Sequence, residues 1–300
     1  MPLLAINHHY FRERVSQGGI YPSTPASLGM ELKKLREKKW KIADQEDILK
    51  YLKGEIPRKE KLAVLTFDDG FQEQIHALEY LKKNHATGIC FVPTAPLASR
   101  RLLDVHKLQM IRSKVTDDEI IRRIREKFDF DQMTKAVVAP QIQYRYDDLK
   151  ARKLKFFVNF SSGGIKKTRW LGSYFTFLFG REAKVADKLY LSREDLRKMS
   201  ENNQLGSHCH SHVPLKMLTS NQVMHELALS MRILSKITGI QPRGVSYPYG
   251  SKVAVGAAVF QCAKKCGYEY GFTMKRGQNT ARINDLCLNR IDCNDLDHYI

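Results

Sequence analysis

The sequence predicts an α/β protein built on a parallel sheet or barrel, with a helical subdomain inserted into it. Three observations support this. Short apolar runs rich in β-branched and aromatic residues alternate with helical patterns over most of the chain. From about 95 to 190 charged helical patterns continue without any strand-like run. The run Leu62–Phe67 also ends abruptly in Asp68-Asp69-Gly70, and α/β folds build their sites where strands end. A length of 300 residues suits one α/β barrel domain spanning 1–300. A hydrophobic fraction of 43% is ample for a core and argues against disorder.

In chain order, Leu3 to Ile6 reads as a short strand ending in the polar-aromatic Asn7-His8-His9-Tyr10. Thr24 to Lys39 is a helix, since Pro25 fits a first turn and apolar residues mix with charges. Asp47 to Leu52 is a shorter helix before the strand at 62–67. Ile75, Leu78 and Leu81 recur at helical spacing after Gly70, and Gly88 to Val92 is a second buried strand. The insert holds an aromatic cluster, Trp170 to Phe179, flanked by Lys166, Lys167, Arg169 and Arg181. Such a segment suits an insert core, or a surface resting on an anionic membrane. The α/β pattern resumes with Ser192 as an N-cap and Asp195 at the third helical position. A helix from Asn221 to Thr238 stops at Gly239, and another runs from Val253 to Lys265. Strands near Tyr268–Thr273 and Cys287–Ile291 finish the chain.

The net charge of +18 draws anions: nucleic acid, anionic lipid or phosphorylated small molecules. No nucleic-acid-binding motif is present, so no specific nucleic-acid partner is expected. Cys90, Cys209, Cys262, Cys266, Cys287 and Cys293 form no CxxC pair, which predicts reduced thiols and a cytoplasmic protein, with the insert's aromatic segment as the place for any peripheral membrane contact. The first residues lack the basic and apolar pattern of a signal peptide, and no apolar run has membrane-spanning length.

The strongest chemical signal is Gly206-Ser207-His208-Cys209-His210-Ser211-His212-Val213-Pro214. Three histidines in five residues point to a metal, because imidazole is the commonest metal ligand. An extended strand puts His208 and His210, or His210 and His212, on one face; a helical turn pairs His208 with His212. Two histidines with one carboxylate of the Asp68-Asp69 pair make a three-ligand divalent site open to substrate. The second carboxylate, kept ionised by the cation, can take a proton from water. The reaction class is metal-assisted hydrolysis of a carbonyl compound, which also needs an oxyanion stabiliser and a general acid.

Thr66-Phe67-Asp68-Asp69-Gly70, Gly206-Ser207-His208-x-x-x-His212 and Ser246-Tyr247-Pro248-Tyr249-Gly250 resemble the first three motifs of the polysaccharide deacetylase family. This is the NodB-homology group, carbohydrate esterase family 4. The resemblance covers the α/β framework and omits the 95–190 insert. It implies a distorted (β/α)7 barrel that removes acetyl from an N-acetylated sugar with a divalent metal: zinc, or else cobalt, nickel or manganese. By position it makes Asp68 the general base and Asp69, His208 and His212 the metal ligands. The backbone N–H of Tyr249 would bind the oxyanion.

Cys209 stands where the family usually has Ser or Thr, either as a small neutral replacement or as a soft competitor for the metal. Ser246 replaces the usual arginine of the third motif, and Arg243 is out of register. Leu288-Asn289-Arg290-Ile291 resembles the arginine-bearing segment of members with this Ser-Tyr-Pro-Tyr-Gly variant, so Arg290 is expected to orient Asp68. The family's last motif, a strand ending in Leu-x-His, is matched only by Leu296-Asp297-His298 at the terminus. Circularly permuted members such as poly-N-acetylglucosamine deacetylases carry that histidine on the first strand. Ile6-Asn7-His8-His9-Tyr10 resembles that start, which makes His9 the expected general acid. The substrate expected is an N-acetylated sugar or glycan precursor for surface polysaccharide synthesis, phosphorylated or lipid-linked to suit the basic charge. Two other readings are a metallohydrolase using a His208/His210 pair, and an inactive protein that binds anions or a membrane.

Overall fold

The computed structural model describes residues 2–13, 22–57, 59–135, 144, 147–161, 163–280 and 284–300. Parts of the expected insert, 136–143, 145–146 and 162, lie outside them. The chain divides into two compact units, residues 1–98 with 188–300 and residues 99–187.

The first unit is a curled parallel sheet. Its strands are β1 (Leu3–His8), β2 (Trp40–Ile42), β3 (Lys61–Phe67), β4 (Ile89–Val92), β5 (Leu205–Ser207), β6 (Gly244–Ser246), β7 (Tyr270–Phe272) and β8 (Ile291–Asp292). They lie in the order β7-β6-β5-β4-β3-β1-β8, with β2 paired to the start of β3. A bridge between Phe272 and Leu288, and pairing of Ile6 with Ile291, carry the ring from β7 back to β1. The result is a distorted seven-stranded parallel barrel, in which the first and last strands are neighbours.

Both faces of the strands are buried, which explains their unbroken apolar runs. Leu4, Ile6, Ala63, Leu65 and Phe67 pack outward. Leu3, Ala5, Leu62 and Val64 point the other way, among Phe91, Tyr270 and Phe272. Outside the sheet, α1 (Pro25–Glu37) contributes Leu28, Leu32 and Leu35. α2 (Gln45–Leu52) contributes Ile48, Leu49 and Tyr51 to the cluster on the strands' other face. Next come α3 (Gln74–Lys83) and the short α4 (Ala95–Ser99).

The second unit is helical: α5 (Asp104–Arg112), α6 (Asp117–Arg125), α7 (Phe130–Met133), α8 (Leu149–Phe160) and α9 (Gly164–Phe179), with most of α10 (Glu182–Leu189). Thr116, Asp129 and Asp148 cap α6, α7 and α8 by accepting from backbone N–H groups. Its core includes Ile111, Ile120, Ile124, Phe157, Leu171 and Phe175, so part of the aromatic cluster is core, as expected. Phe177 is not; it is 76% exposed.

Returning to the sheet unit, α11 (Arg193–Glu201) opens with a capping box in which Asp195 answers Ser192. Then come α12 (Ser220–Thr238), ended by left-handed Gly239, and α13 (Ala257–Lys265). Three expectations need correction. β1 continues to His8 because β3 pairs with it along its whole length. The last helix starts at Ala257 and not Val253, since 251–254 is a turn whose Ala254 carbonyl accepts from Lys216. Cys287 lies in a 3₁₀ turn, Asp285–Cys287, and strand pairing begins only beyond it. No helix among the described residues is long and apolar enough to cross a membrane. All six cysteines are free thiols.

Candidate active site

The carboxyl ends of β1, β3, β5 and β6 meet at one rim, and Arg290 arrives there from the segment before β8. Asp68 leaves β3 fully enclosed, 2% exposed. Arg290 grips it with both arms, Nη1 to Oδ1 at 2.9 Å and Nη2 to Oδ2 at 2.6 Å. The Ser246 hydroxyl donates to Asp68 Oδ2 at 3.1 Å and accepts from Arg290 Nη2 at 2.8 Å. Arg290 Nη1 also donates to Thr66 Oγ1 at 3.2 Å. Burial alone would raise the Asp68 pKa; the Arg290 guanidinium overrides it and holds the carboxyl below its ordinary range. Asp68 is therefore ionised and held in one orientation.

Asp69 turns away from its neighbour. Its Oδ1 lies 3.2 Å from His212 Nε2 and 3.6 Å from His208 Nε2. One ligand atom from each of these three buried side chains falls within 4.8 Å of the others. His208 Nδ1 is bonded to the Ser246 carbonyl at 2.7 Å, which aims Nε2 at the cluster. Burial, working against the pull of Asp68, lowers the His208 pKa to about 4, so the ring is the neutral imidazole that ligates metals. Two imidazole nitrogens and a carboxylate oxygen are the donor set of a divalent cation with open positions, and these residues fit one.

The local backbone explains how this cluster forms. Asp69, Cys209, His212 and Tyr249 have left-handed φ values of 79°, 61°, 57° and 62°, although none is glycine. Such conformations cost on the order of 1–3 kcal/mol each and persist where surroundings impose them. Glu226 on α12 is one cause: it accepts from the N–H groups of His210 and Ser211, at 3.2 and 2.8 Å, and from the Ser211 hydroxyl. The histidine segment is thus neither strand nor helix. It is a loop that turns His208 and His212 inward and sends His210 to the Thr94 hydroxyl, 2.8 Å away.

The Cys209 thiol is buried, burial pushes its pKa well up, and it is not among the grouped donors. It behaves as a small neutral residue. The Tyr249 ring packs edge-on against His212, with centroids 4.9 Å apart. His9 lies one residue beyond β1, close enough for its charge to act on Asp68. His298 is exposed in a 3₁₀ turn after β8. His8 points elsewhere, into a buried network with Ser23 Oγ at 2.7 Å and Glu31 Oε1 at 3.2 Å. Arg243 precedes β6 at the far end of that strand and pairs with Glu46 and Glu269. Ser246 was legible only as a missing arginine; its hydroxyl meets Asp68 and its carbonyl meets His208 Nδ1. Glu226 and Gln74 carried no readable signal.

A parallel barrel with an Asp-His-His cluster beside a buried Asp–Arg pair defines a class of hydrolase-like sites. The family described as polysaccharide deacetylase matches residues 128–271, a stretch that includes the second and third motifs. Over that stretch the chain is similar to this family, in agreement with the resemblance of its motifs to the NodB-homology group. No curated protein matches it in sequence. Its fold is shared by the Streptococcus pyogenes deacetylase PplD in complex with acetate, with a TM-score of 0.60 and 15% identity over 97% of this chain and 92% of that one. IcaB from Ammonifex degensii gives 0.58 and 15% over 99% and 94%. A de-N-acetylase from Aggregatibacter actinomycetemcomitans gives 0.58 and 12% over 98% and 96%. At such identities the likeness is one of fold.

Proposed function

We propose that the protein is a metal-dependent hydrolase removing the acetyl group from an N-acetylated sugar or glycan precursor. The observation that carries this reading is the bidentate Arg290–Asp68 pair standing beside the Asp69-His208-His212 cluster. The family match over residues 128–271 and the similar fold of proteins described as deacetylases support it. A divalent metal, most simply zinc, held by Asp69, His208 and His212 would supply positive charge for the acetyl carbonyl. Asp68 takes a proton from the attacking water as its oxygen bonds to the carbonyl carbon. Arg290 and Ser246 keep that carboxylate ionised and aimed. The Tyr249 N–H donates to the developing oxyanion, and His9 protonates the nitrogen as the C–N bond breaks. Acetate and a free amine result.

Acetate release by zinc-loaded protein from a panel of N-acetyl sugars and sugar nucleotides tests this. Asp68→Asn should lower kcat by about 10²–10⁴; undiminished release would remove Asp68 from its role. Free thiols and basic charge support a cytoplasmic setting and a phosphate-bearing or lipid-linked substrate.

A peripheral membrane contact is supported separately by α9. It has no acidic residue, exposes Ile165 and Phe177, and turns Lys166 and Arg169 outward with them. Sedimentation with phosphatidylglycerol vesicles, but not phosphatidylcholine vesicles, is expected, weakened by salt and by Phe177→Ser. Equal recovery with both lipids would discard the contact.

A further inference from the structure

We infer that Gln74 is a positioning residue that holds the general acid in register with the general base. The inference rests on the roles proposed above for His9 and Asp68. Gln74 opens α3 just after the first motif and has no solvent exposure. Its side-chain Nε2 donates to two backbone carbonyls, that of His9 at 2.8 Å and that of Asp68 at 2.5 Å. These carbonyls belong to chain segments leaving different strands. Pairing of β1 with β3 ends at His8 opposite Phe67, one residue short of both. Beyond that point one inter-strand bond remains, from the Asp68 N–H to the His8 carbonyl, and the Gln74 amide with its two N–H donors ties His9 itself to Asp68.

The neighbours of Gln74 grip the same segment. Glu73 accepts from the Phe11 N–H at 3.1 Å and pairs with Arg12 at 3.2 Å. Phe71 stacks on Tyr10 with centroids 4.5 Å apart. The stretch from Phe71 to Gln74 therefore fixes the chain from His9 to Arg12.

The two ends of the Gln74 bridge are not equally dependent on it. Asp68 has anchors of its own: its N–H donates to the His8 carbonyl at 3.0 Å, and Arg290 holds its carboxylate. His9 lies past the last paired residue of its strand. Losing Gln74 should therefore displace the acid more than the base. That asymmetry has a chemical signature. An amine leaves an amide only when protonated, whereas 4-nitrophenolate leaves an ester without help.

The test compares full-length zinc-loaded protein and its Gln74→Met variant, which keeps volume and removes both donors. The two probes are an N-acetylglucosamine oligomer and 4-nitrophenyl acetate. For the amide, kcat should fall about 10- to 100-fold with KM nearly unchanged, the scale of a reactive group displaced by about 1 Å. Ester hydrolysis and bound zinc should change little. Added to His9→Ala, the same substitution should cost little more, because both act on one step. Gln74→Asn, read the same way if Gln74→Met fails to fold, should give a smaller amide-selective loss. Parallel losses on both probes, loss of zinc, multiplying effects in the double variant or an undiminished amide rate would each overturn the assignment. Wild-type protein that cleaves the ester and no N-acetyl sugar refutes the deacetylase reading itself, a distinct result, and removes the Gln74 role with it.

Discussion

Asp68 in the barrel unit and Lys167 in the helical unit are both charged side chains almost wholly out of water, at 2% and 6% exposure, and their surroundings differ in kind. Asp68 meets a full opposite charge at Arg290, and stays ionised despite burial. Lys167 meets the carbonyls of Phe157 and Ser161, each at 2.8 Å, near the end of α8. Burial lowers its pKa to about 8, since those dipoles and a more distant Asp104 compensate it only partly. Lys167 caps a helix end with its ammonium; Asp68 is part of a charge arrangement that spans four strand ends. Burial of a charge is thus no mark of a site by itself. What distinguishes the rim is a paired charge whose second neighbour is a cluster of metal donors.

The largest effect should come from breaking the barrel's pair. Arg290→Met leaves Asp68 buried without its cation, at a cost of about 3–5 kcal/mol, together with loss of acetate release. Urea unfolding and activity measured side by side check this; a variant as stable as the parent would mean that the pair is more solvated than it looks.

Lys167→Met should cost less, about 1–3 kcal/mol from two carbonyls that lose their charged donor, with kcat intact. A fall in kcat would end the contrast between the two units. The same residue gives a pH signature. Its folded pKa lies below its unfolded one, so the unfolded chain binds more protons between about pH 8 and 10.5. Stability should rise with pH across that window, and Lys167→Met should abolish the rise.

The smallest effect is expected at His8, whose neutral ring can still bond Ser23. Burial opposes its charge, but Glu31 and Cys293 raise its pKa well above 6.5. Its contribution is complete below pH 6.5 and lost as pH rises through the higher folded value. Thermal melts of wild type and His8→Gln should converge at alkaline pH; curves that stay parallel would remove the charge from the account.

Much of this arrangement was readable because it depends on neighbours in sequence. Apolar runs mark strands buried on both faces, Ser192 with Asp195 makes its cap locally, and Gly239 ends its helix because it alone tolerates the left-handed turn cheaply. The three motifs could be read letter by letter, and with them the ligand types. β2 was missed, since Trp40-Lys41-Ile42 is too short to show a period and is a strand only because β3 lies beside it. His8 and His9 looked alike in the sequence; strand alternation sends one to Glu31 and leaves the other near Asp68.

The sequence by itself determined that this is an α/β chain with strand-end carboxylates and enough imidazoles to hold a metal. Alternation of apolar runs and a few residue types suffices for that, because both act over short range. Tertiary structure decided which groups meet. Pairing β1 with both β3 and β8 brings residues near the two chain ends to one rim, so that Arg290 reaches Asp68 across 222 positions. Glu226 imposes a left-handed loop that selects His212 over His210, and Gln74 ties two strand ends where their ladder stops. Those choices rest on hydrogen bonds between residues distant in sequence, which no local pattern records.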